Sequence, residues 1–263
     1  MKRVLIWIGY LLGALILFVF SYLFLFSRSF HTPVNVHALA AYSAPGGPIL
    51  VFGGTRATGL DIVRELRQRG EDVVVAVRAT SDTTQLQKLG VRTVVADALN
   101  AQQVAAAFAS GPYRAVITLL GTSRGDKARR PDFIGNRNVF DAAKSAGARR
   151  IIFITVIGIG DSRDSAPLPA RIFLKDVIAL KAQAEEHLKR SGLDYTIIRP
   201  GGLSERPATG KAFLAEDPAA FSYISRQDLA LLAVGALGDR TTIGKTYSAY
   251  DPLRKTLWKT FND

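Results

Sequence analysis

Ile49-Leu-Val-Phe-Gly-Gly-Thr-Arg-Ala-Thr-Gly59 decides the fold. Its first four residues form a continuous apolar run, the pattern of a strand buried on both faces of a parallel sheet. Gly53 follows at once and permits a tight turn. A small residue at Ala57 lets backbone approach a pyrophosphate, and Gly59 permits close packing of helix on strand. Leu60, Val63 and Leu66 then share one face of a helix. A helix beginning near Thr58 offers unpaired N–H groups and the positive end of its dipole, which suits phosphates. The spacing is G-x-x-x-A-x-G, with alanine where the G-x-x-x-G-x-G loop has its second glycine. Gly53, Thr55, Arg56, Ala57, Thr58 and Gly59 are the candidate phosphate-binding residues. A plain strand-to-helix turn is the alternative.

Further strand-like runs follow at Val73–Val77, Thr93–Ala96, Ala115–Leu120, Ile151–Thr155 and Tyr195–Ile198. Helical patterns separate them. Val104 and Phe108 mark one, Phe133, Val139, Phe140 and Ala143 another, and Ile178, Ala182, Glu185 and Leu188 a third. Leu229 to Leu237 closes the series. This alternation predicts an α/β fold, a doubly wound parallel sheet of the Rossmann type.

Cofactor choice follows from the end of the second strand. A site selective for NAD places Asp or Glu about 20 residues past the loop, on the ribose hydroxyls. Here Arg78 stands there, nineteen residues past Gly59, and Asp72 lies at the wrong end of the strand. A guanidinium can take a 2′-phosphate with two hydrogen bonds, and Arg56 can add a second charge. The expected cofactor is NADP(H).

Composition narrows the class. The chain has 263 residues, 48% hydrophobic and 21% charged, with no cysteine and three histidines. Disordered and disulfide-stapled chains are excluded, as is any thiolate metal site. No metal is expected. Net charge is +12, which favours anionic partners: a membrane surface, nucleic acid or a phosphorylated ligand. The densest clusters are Lys127-Ala-Arg-Arg130 and Arg149-Arg150; no nucleic-acid motif accompanies them. A solvated basic face and contact with anionic headgroups are the two readings.

Val4 to Phe26 runs without a charge, and roughly 34 Å of helix would cross a hydrocarbon core of about 30 Å. Trp7, Tyr10 and Tyr22 fall near its ends. A cleaved signal peptide is the other reading, but its apolar region runs only about 7–15 residues. Ala38-Leu-Ala40 lies far past the run. Residues 1–30 are therefore expected to be an uncleaved single-pass anchor, 31–48 a tether containing Pro33, Pro45, Gly46, Gly47 and Pro48, and 49–263 the domain. Lys2 and Arg3 outnumber Arg28, which by the positive-inside rule sends the domain outside. The NADP pool argues for the cytoplasmic side, and that side is expected.

The resemblance rests on the loop and on several further stretches. These are "AVR" at 76–78, "ADA" at 96–98, "LLGT" at 119–122, "GNRNVFDAAKSAGARRIIFIT" at 135–155, "AEEHLKRSGLDYTIIRPGGL" at 184–203 and "ISRQDLA" at 224–230. From about residue 49 to 250 the chain resembles the atypical short-chain dehydrogenase/reductases, in the NAD(P)-binding, NmrA-like and flavin reductase (biliverdin reductase B)-like branch. The resemblance implies that Asp97 and Ala98 sit at the adenine. It implies that Leu120, Gly121 and Thr122 line the cofactor, and that Pro200 and Gly201 lie beside the nicotinamide. All fall at carboxyl ends of strands, where such sheets bind ligands.

The chemistry departs from the family's pattern. A typical member uses Ser with Tyr-x-x-x-Lys. Thr155 takes the serine place and Lys181 matches the lysine, but Val177 stands where the tyrosine should be. Valine donates no proton. Two expectations remain. Either hydride passes to a flavin-, quinone- or tetrapyrrole-like acceptor, with water completing protonation, or the domain binds NADP(H) without turnover as a redox sensor or assembly factor. The expected partners are thus a small-molecule or lipid-phase acceptor, the membrane through residues 4–26 and, in the second case, a protein. Gly121-Thr-Ser-Arg-Gly125 matches the G-x-S-x-G elbow of hydrolases, but no helix pattern follows directly, and His187 lies mid-helix between Glu186 and Lys189. Tyr223 could line the substrate side of the cleft or serve as a packing aromatic.

Overall fold

The computed structural model describes residues 2–26, 31–42, 46–122 and 130–255. In chain order the elements are α1 (Lys2–Phe26), β1 (Val36–His37), β2 (Ile49–Phe52), α2 (Ala57–Gln68), β3 (Val73–Val77), α3 (Thr84–Lys88), β4 (Arg92–Val95), α4 (Ala101–Ala109), β5 (Ala115–Thr118) and α5 (Ile134–Ser145). They continue as β6 (Arg150–Ile154), a 3-10 turn (Gly160–Ser165), α6 (Leu168–Phe173), α7 (Lys175–Arg190), β7 (Asp194–Pro200), β8 (Gly202–Ser204), β9 (Phe213–Ala215), β10 (Tyr223–Ser225), α8 (Arg226–Gly238) and β11 (Lys245–Tyr250).

The main sheet runs β1-β9-β11-β7-β6-β5-β2-β3-β4. From β4 to β11 every neighbouring pair is parallel; β9 joins β11, and β1 joins β9, antiparallel. This is the expected Rossmann sheet. Chain order reverses between β2 and β5, so a crevice opens at their carboxyl ends. Side chains alternate across the sheet. Ile49, Val51, Val73 and Val75 pack on one face with Leu60, Val63 and Leu66 of α2 and Leu229 to Leu237 of α8. Leu50, Phe52, Val74 and Ala76 pack on the other with Val104 and Phe108, Val139 and Phe140, and Ala184 and Leu188.

Two expectations are corrected. The third strand is the sheet's outer edge, so Arg92, Thr93 and Val95 are exposed rather than buried on both faces. Residues 31–42, expected as part of a plain tether, are strapped onto the domain. Val36 pairs with Ala215 and His37 with Leu214. The Asp217 carboxylate accepts from the Val34 N–H at 3.0 Å and lies 2.6 Å from His31 Nε2. The Asp239 carboxylate accepts from the Ala40 N–H at 3.0 Å and lies 2.9 Å from His37 Nε2. Tyr42 donates to Glu71. Pro33 is buried against the domain.

Ahead of the strap, α1 is one helix of transmembrane length and composition, with its membrane-length stretch, Lys2–Tyr22, unburied.

Candidate active site: a dinucleotide cleft

Beyond Phe52 the chain turns at Gly53, whose φ of +88° lies in the left-handed region. A Cβ at Gly59 would come within 2.0 Å of the Gly53 carbonyl oxygen, so only glycine lets α2 sit this close to the loop. Gly54 is equally confined from below: a Cβ there would stand 2.9 Å from Val75 Cγ1. Arg56 precedes α2 and gives it no side-chain cap, and its first turn carries no acid. The N–H groups of that turn are therefore open to an anion. Ala57 adopts φ +48°, the conformation that the missing glycine would take without strain. Thr58 Oγ1 accepts a 3.1 Å hydrogen bond from Arg226, which also pairs with Glu205 at 2.6 Å.

The loop forms one wall of a cleft of about 1100 Å³ at the switch point. Gly53, Thr55, Arg56, Ala57, Thr58, Gly59, Arg78, Asp97, Ala98, Leu120, Gly121, Thr122, Thr155, Lys181 and Pro200 all line it. Of the residues expected from sequence, only Gly201 is not on that wall. It is instead pressed against the neighbouring backbone, where a Cβ would lie 2.0 Å from the Ser222 carbonyl oxygen.

Arg78 stands directly beyond β3, where its N–H donates to Ser81 Oγ at 3.1 Å. Asp72, at the far end of that strand, is paired with Arg92 at 2.7 Å. The next strand leads to Asp97, whose side chain accepts from the Leu99 N–H at 3.0 Å. Asn138 donates to the Ala98 carbonyl at 2.9 Å and fixes that corner from α5.

The opposite end is built around Lys181. Its ammonium is buried, donates to the Leu120 carbonyl at 2.9 Å, and sits 5.4 Å from the centre of the Phe153 ring. Burial pushes its pKa down from the ordinary lysine value, against the pull of Asp132 and Glu185. Asp132 is buried; one oxygen accepts from the Thr122 N–H at 2.9 Å, and the other has no hydrogen-bond partner among the described residues. A Cβ at Gly121 would lie 3.2 Å from that oxygen and 3.7 Å from Lys181 Nζ, so glycine is what lets both charges approach the cleft wall.

Thr155 takes the expected place, but its hydroxyl donates to Glu185 Oε1 at 2.8 Å. Glu185 is held in turn by Arg199, at 3.1 Å from Nε and 2.7 Å from Nη2, all within the interior. Val177 does not line the cleft, whereas Tyr223 does. The Tyr223 ring lies over Gly202, where a Cβ would come within 2.2 Å of it, and meets Phe221 edge-on with centroids 5.6 Å apart. Burial raises its phenol pKa.

The profile of a family described as NAD(P)H-binding matches residues 53–240. The chain belongs to this family. An uncharacterized chloroplastic protein of Arabidopsis thaliana is 32% identical over 196 residues, covering 71% of this chain and 70% of that protein. A protein of Bacillus subtilis described as an uncharacterized sugar epimerase is 31% identical, covering 69% of this chain and 84% of its own. Among solved structures, ChuY, an anaerobilin reductase from Escherichia coli O157:H7, is 32% identical with a TM-score of 0.69, covering 78% of this chain and 98% of its own. The family identity and these likenesses agree with the resemblance drawn from the motifs, and with NAD(P)H as the cofactor.

Several residues had no role assigned from sequence. Asn136 accepts from the Thr118 hydroxyl at 2.7 Å and donates to the Asp132 carbonyl at 2.8 Å, tying β5 to the loop that carries Gly121. Two asparagines two apart on a helix give no signal by themselves. Glu185 and Arg199 lie in different elements, and sequence separation hides their pairing. The hydrolase elbow's Ser123, Arg124 and Gly125, and the Lys127–Arg129 part of the basic cluster, lie outside the described residues. His187 Nε2 lies 2.6 Å from Asp141 at the surface.

Proposed function

We propose that this chain is a membrane-anchored, NADP(H)-dependent reductase, with residues 1–30 as anchor and the rest, from the strap onward, as the catalytic domain. Its acceptor is flavin-, quinone- or tetrapyrrole-like and needs no protein acid. The carrying observation is the pairing of a buried, cleft-lining Lys181 with Val177 outside the cleft. The lysine of the dyad is kept and its tyrosine is gone, which leaves ligand positioning without proton donation.

The cleft suits the cofactor. The uncapped start of α2 takes the diphosphate, Arg56 and Arg78 take the 2′-phosphate, and Asp97 and Ala98 flank the adenine. Leu120, Gly121, Thr122, Lys181 and Pro200 hold the nicotinamide end. The cofactor supplies hydride. Lys181, aimed at the cleft from α7, orients bound hydroxyls and stabilises negative charge developing nearby. ChuY's description as an anaerobilin reductase supports an extended conjugated acceptor. The apolar α1 supports an acceptor reached at a membrane.

Binding without turnover is the second reading. It draws on the Thr155 hydroxyl, whose one hydrogen bond is already donated to Glu185. Absorbance at 340 nm, followed with NADPH and a flavin, a quinone and a linear tetrapyrrole in turn, separates the two. Oxidation with any acceptor supports the reductase. A flat trace, together with heat of NADPH binding by calorimetry, supports the sensor.

A further inference from the structure

We infer that α6 rests on a lipid surface, the same one that α1 enters, and so turns the substrate end of the cleft toward the bilayer. The inference builds on the anchor reading above.

None of the residues of α6 is buried. Four large apolar side chains in and just after it face solvent: Leu168, Ile172, Phe173 and Leu174, with Phe173 84% exposed. Apolar side chains left this exposed among the described residues gain when another surface removes them from water. The charges around it favour an anionic surface. Asp164 is paired with Arg171 and Asp176 with Arg130, while Asp161 shares Arg199 with buried Glu185. Exposed Arg163 and Lys175, set against Asp161, leave one positive charge in excess beside the turn.

The occupant is named by where the chain arrives from α1. His31, the first described residue after that helix, lies on Asp217, and its carbonyl accepts from Tyr250 at 3.3 Å. The next residue, Pro218, accepts a 2.6 Å hydrogen bond from Ser165, three residues ahead of α6. The same segment packs on the cleft: Ala166 and Ile157 form one cluster with Phe221 and Tyr223. The entry point of α1, the apolar turn and the cleft's Tyr223 end therefore share one side of the domain. A membrane met there would be touched by α6 at headgroup depth, about 5–10 Å into the interface.

The chain has no cysteine, so single labels are clean. Full-length protein carrying Phe173→Cys, Lys88→Cys or Leu15→Cys, each with an environment-sensitive fluorophore, is reconstituted in phosphatidylcholine vesicles with a minority of phosphatidylglycerol. Lys88 is exposed on α3, beside the opposite edge of the sheet. Lipids bearing a shallow nitroxide should quench the label at 173 at least about twice as strongly as the label at 88. Equal quenching at the two, with deep-nitroxide quenching at 15, overturns the inference and leaves the anchor standing. No deep quenching at 15 overturns the anchor reading, and this inference with it. Shielding of the 173 label without lipid, growing with protein concentration, assigns the patch to a second copy and also overturns it.

Discussion

The Thr155 hydroxyl donates to Glu185 Oε1 at 2.8 Å, so the side chain in the family's serine position is spent on holding a buried carboxylate rather than offered to a ligand. Thr155→Val removes that donor and leaves Glu185 with Arg199 and the more distant Lys189. Losing one partner of a buried charged group costs about 1–3 kcal/mol. The denaturant midpoint should fall by a corresponding amount. Turnover with NADPH should fall far less than after a change at Lys181; the reverse order would give Thr155 a direct role.

Lys181→Met tests the other half of the altered dyad. The Lys181 ammonium offsets the buried Asp132 and Glu185 charges, so removing it alone leaves buried carboxylates less compensated and lowers stability. The thermal midpoint should fall, and NADPH oxidation per folded molecule should slow by about tenfold or more, ~1.4 kcal/mol in barrier. A large loss of folding with normal turnover of the remaining folded protein would refute a ligand-facing role.

Arg56 and Arg78 both line the cleft beside the phosphate loop. Charge-assisted hydrogen bonds contribute about 1.5–3 kcal/mol. Changing both arginines to alanine should raise the Kd for NADPH by about a hundredfold and leave that for NADH nearly unchanged, by calorimetry. Equal losses would end the NADP(H) assignment.

Ala57 holds φ +48° at the start of α2. Left-handed backbone costs a residue with a Cβ about 1–2 kcal/mol. Ala57→Gly should raise the thermal midpoint despite the freer unfolded chain, and calorimetry should show NADPH affinity equal or tighter.

The strap should respond to acid. Burial alone would raise the Asp217 and Asp239 pKa values. Hydrogen bonds, chiefly from His31, Val34 and Ala219 to Asp217 and from Thr241, Ala40 and His37 to Asp239, instead hold both below the ordinary carboxylate value. Their stabilising contribution is complete above the ordinary carboxylate value of about 4 and is lost as pH falls through the lowered values. Amide exchange at residues 34–40 should accelerate below about pH 4 before exchange in β2 or β6 does. Simultaneous loss everywhere would show the strap and core to be one cooperative unit.

The fold was legible where strands are continuous apolar runs: β2, β3, β5, β6 and β7 were read nearly to their ends. β11 escaped because its Lys-Thr-Tyr-Ser-Ala-Tyr sequence mixes polar residues into a strand whose last four residues are buried. β1 and β9 are two and three residues long, too short to carry a period. The cleft's glycines and arginines were readable because their types are dictated locally, by turn geometry and charge. The Thr155–Glu185–Arg199 network was not, because it joins three elements that meet only after the sheet is built. The constraint on Gly201 is hidden for the same reason: it comes from Ser222, across a gap in sequence.

The two-residue strand β1 sheathes the outer edge of β9. A fragment trimmed back to Ile49 would strip that cover and leave unpaired backbone amides and carbonyls, a template for neighbouring chains to stack upon. Water-soluble preparations should therefore begin at His31, keeping the strap, and those begun at the Rossmann strand should clump.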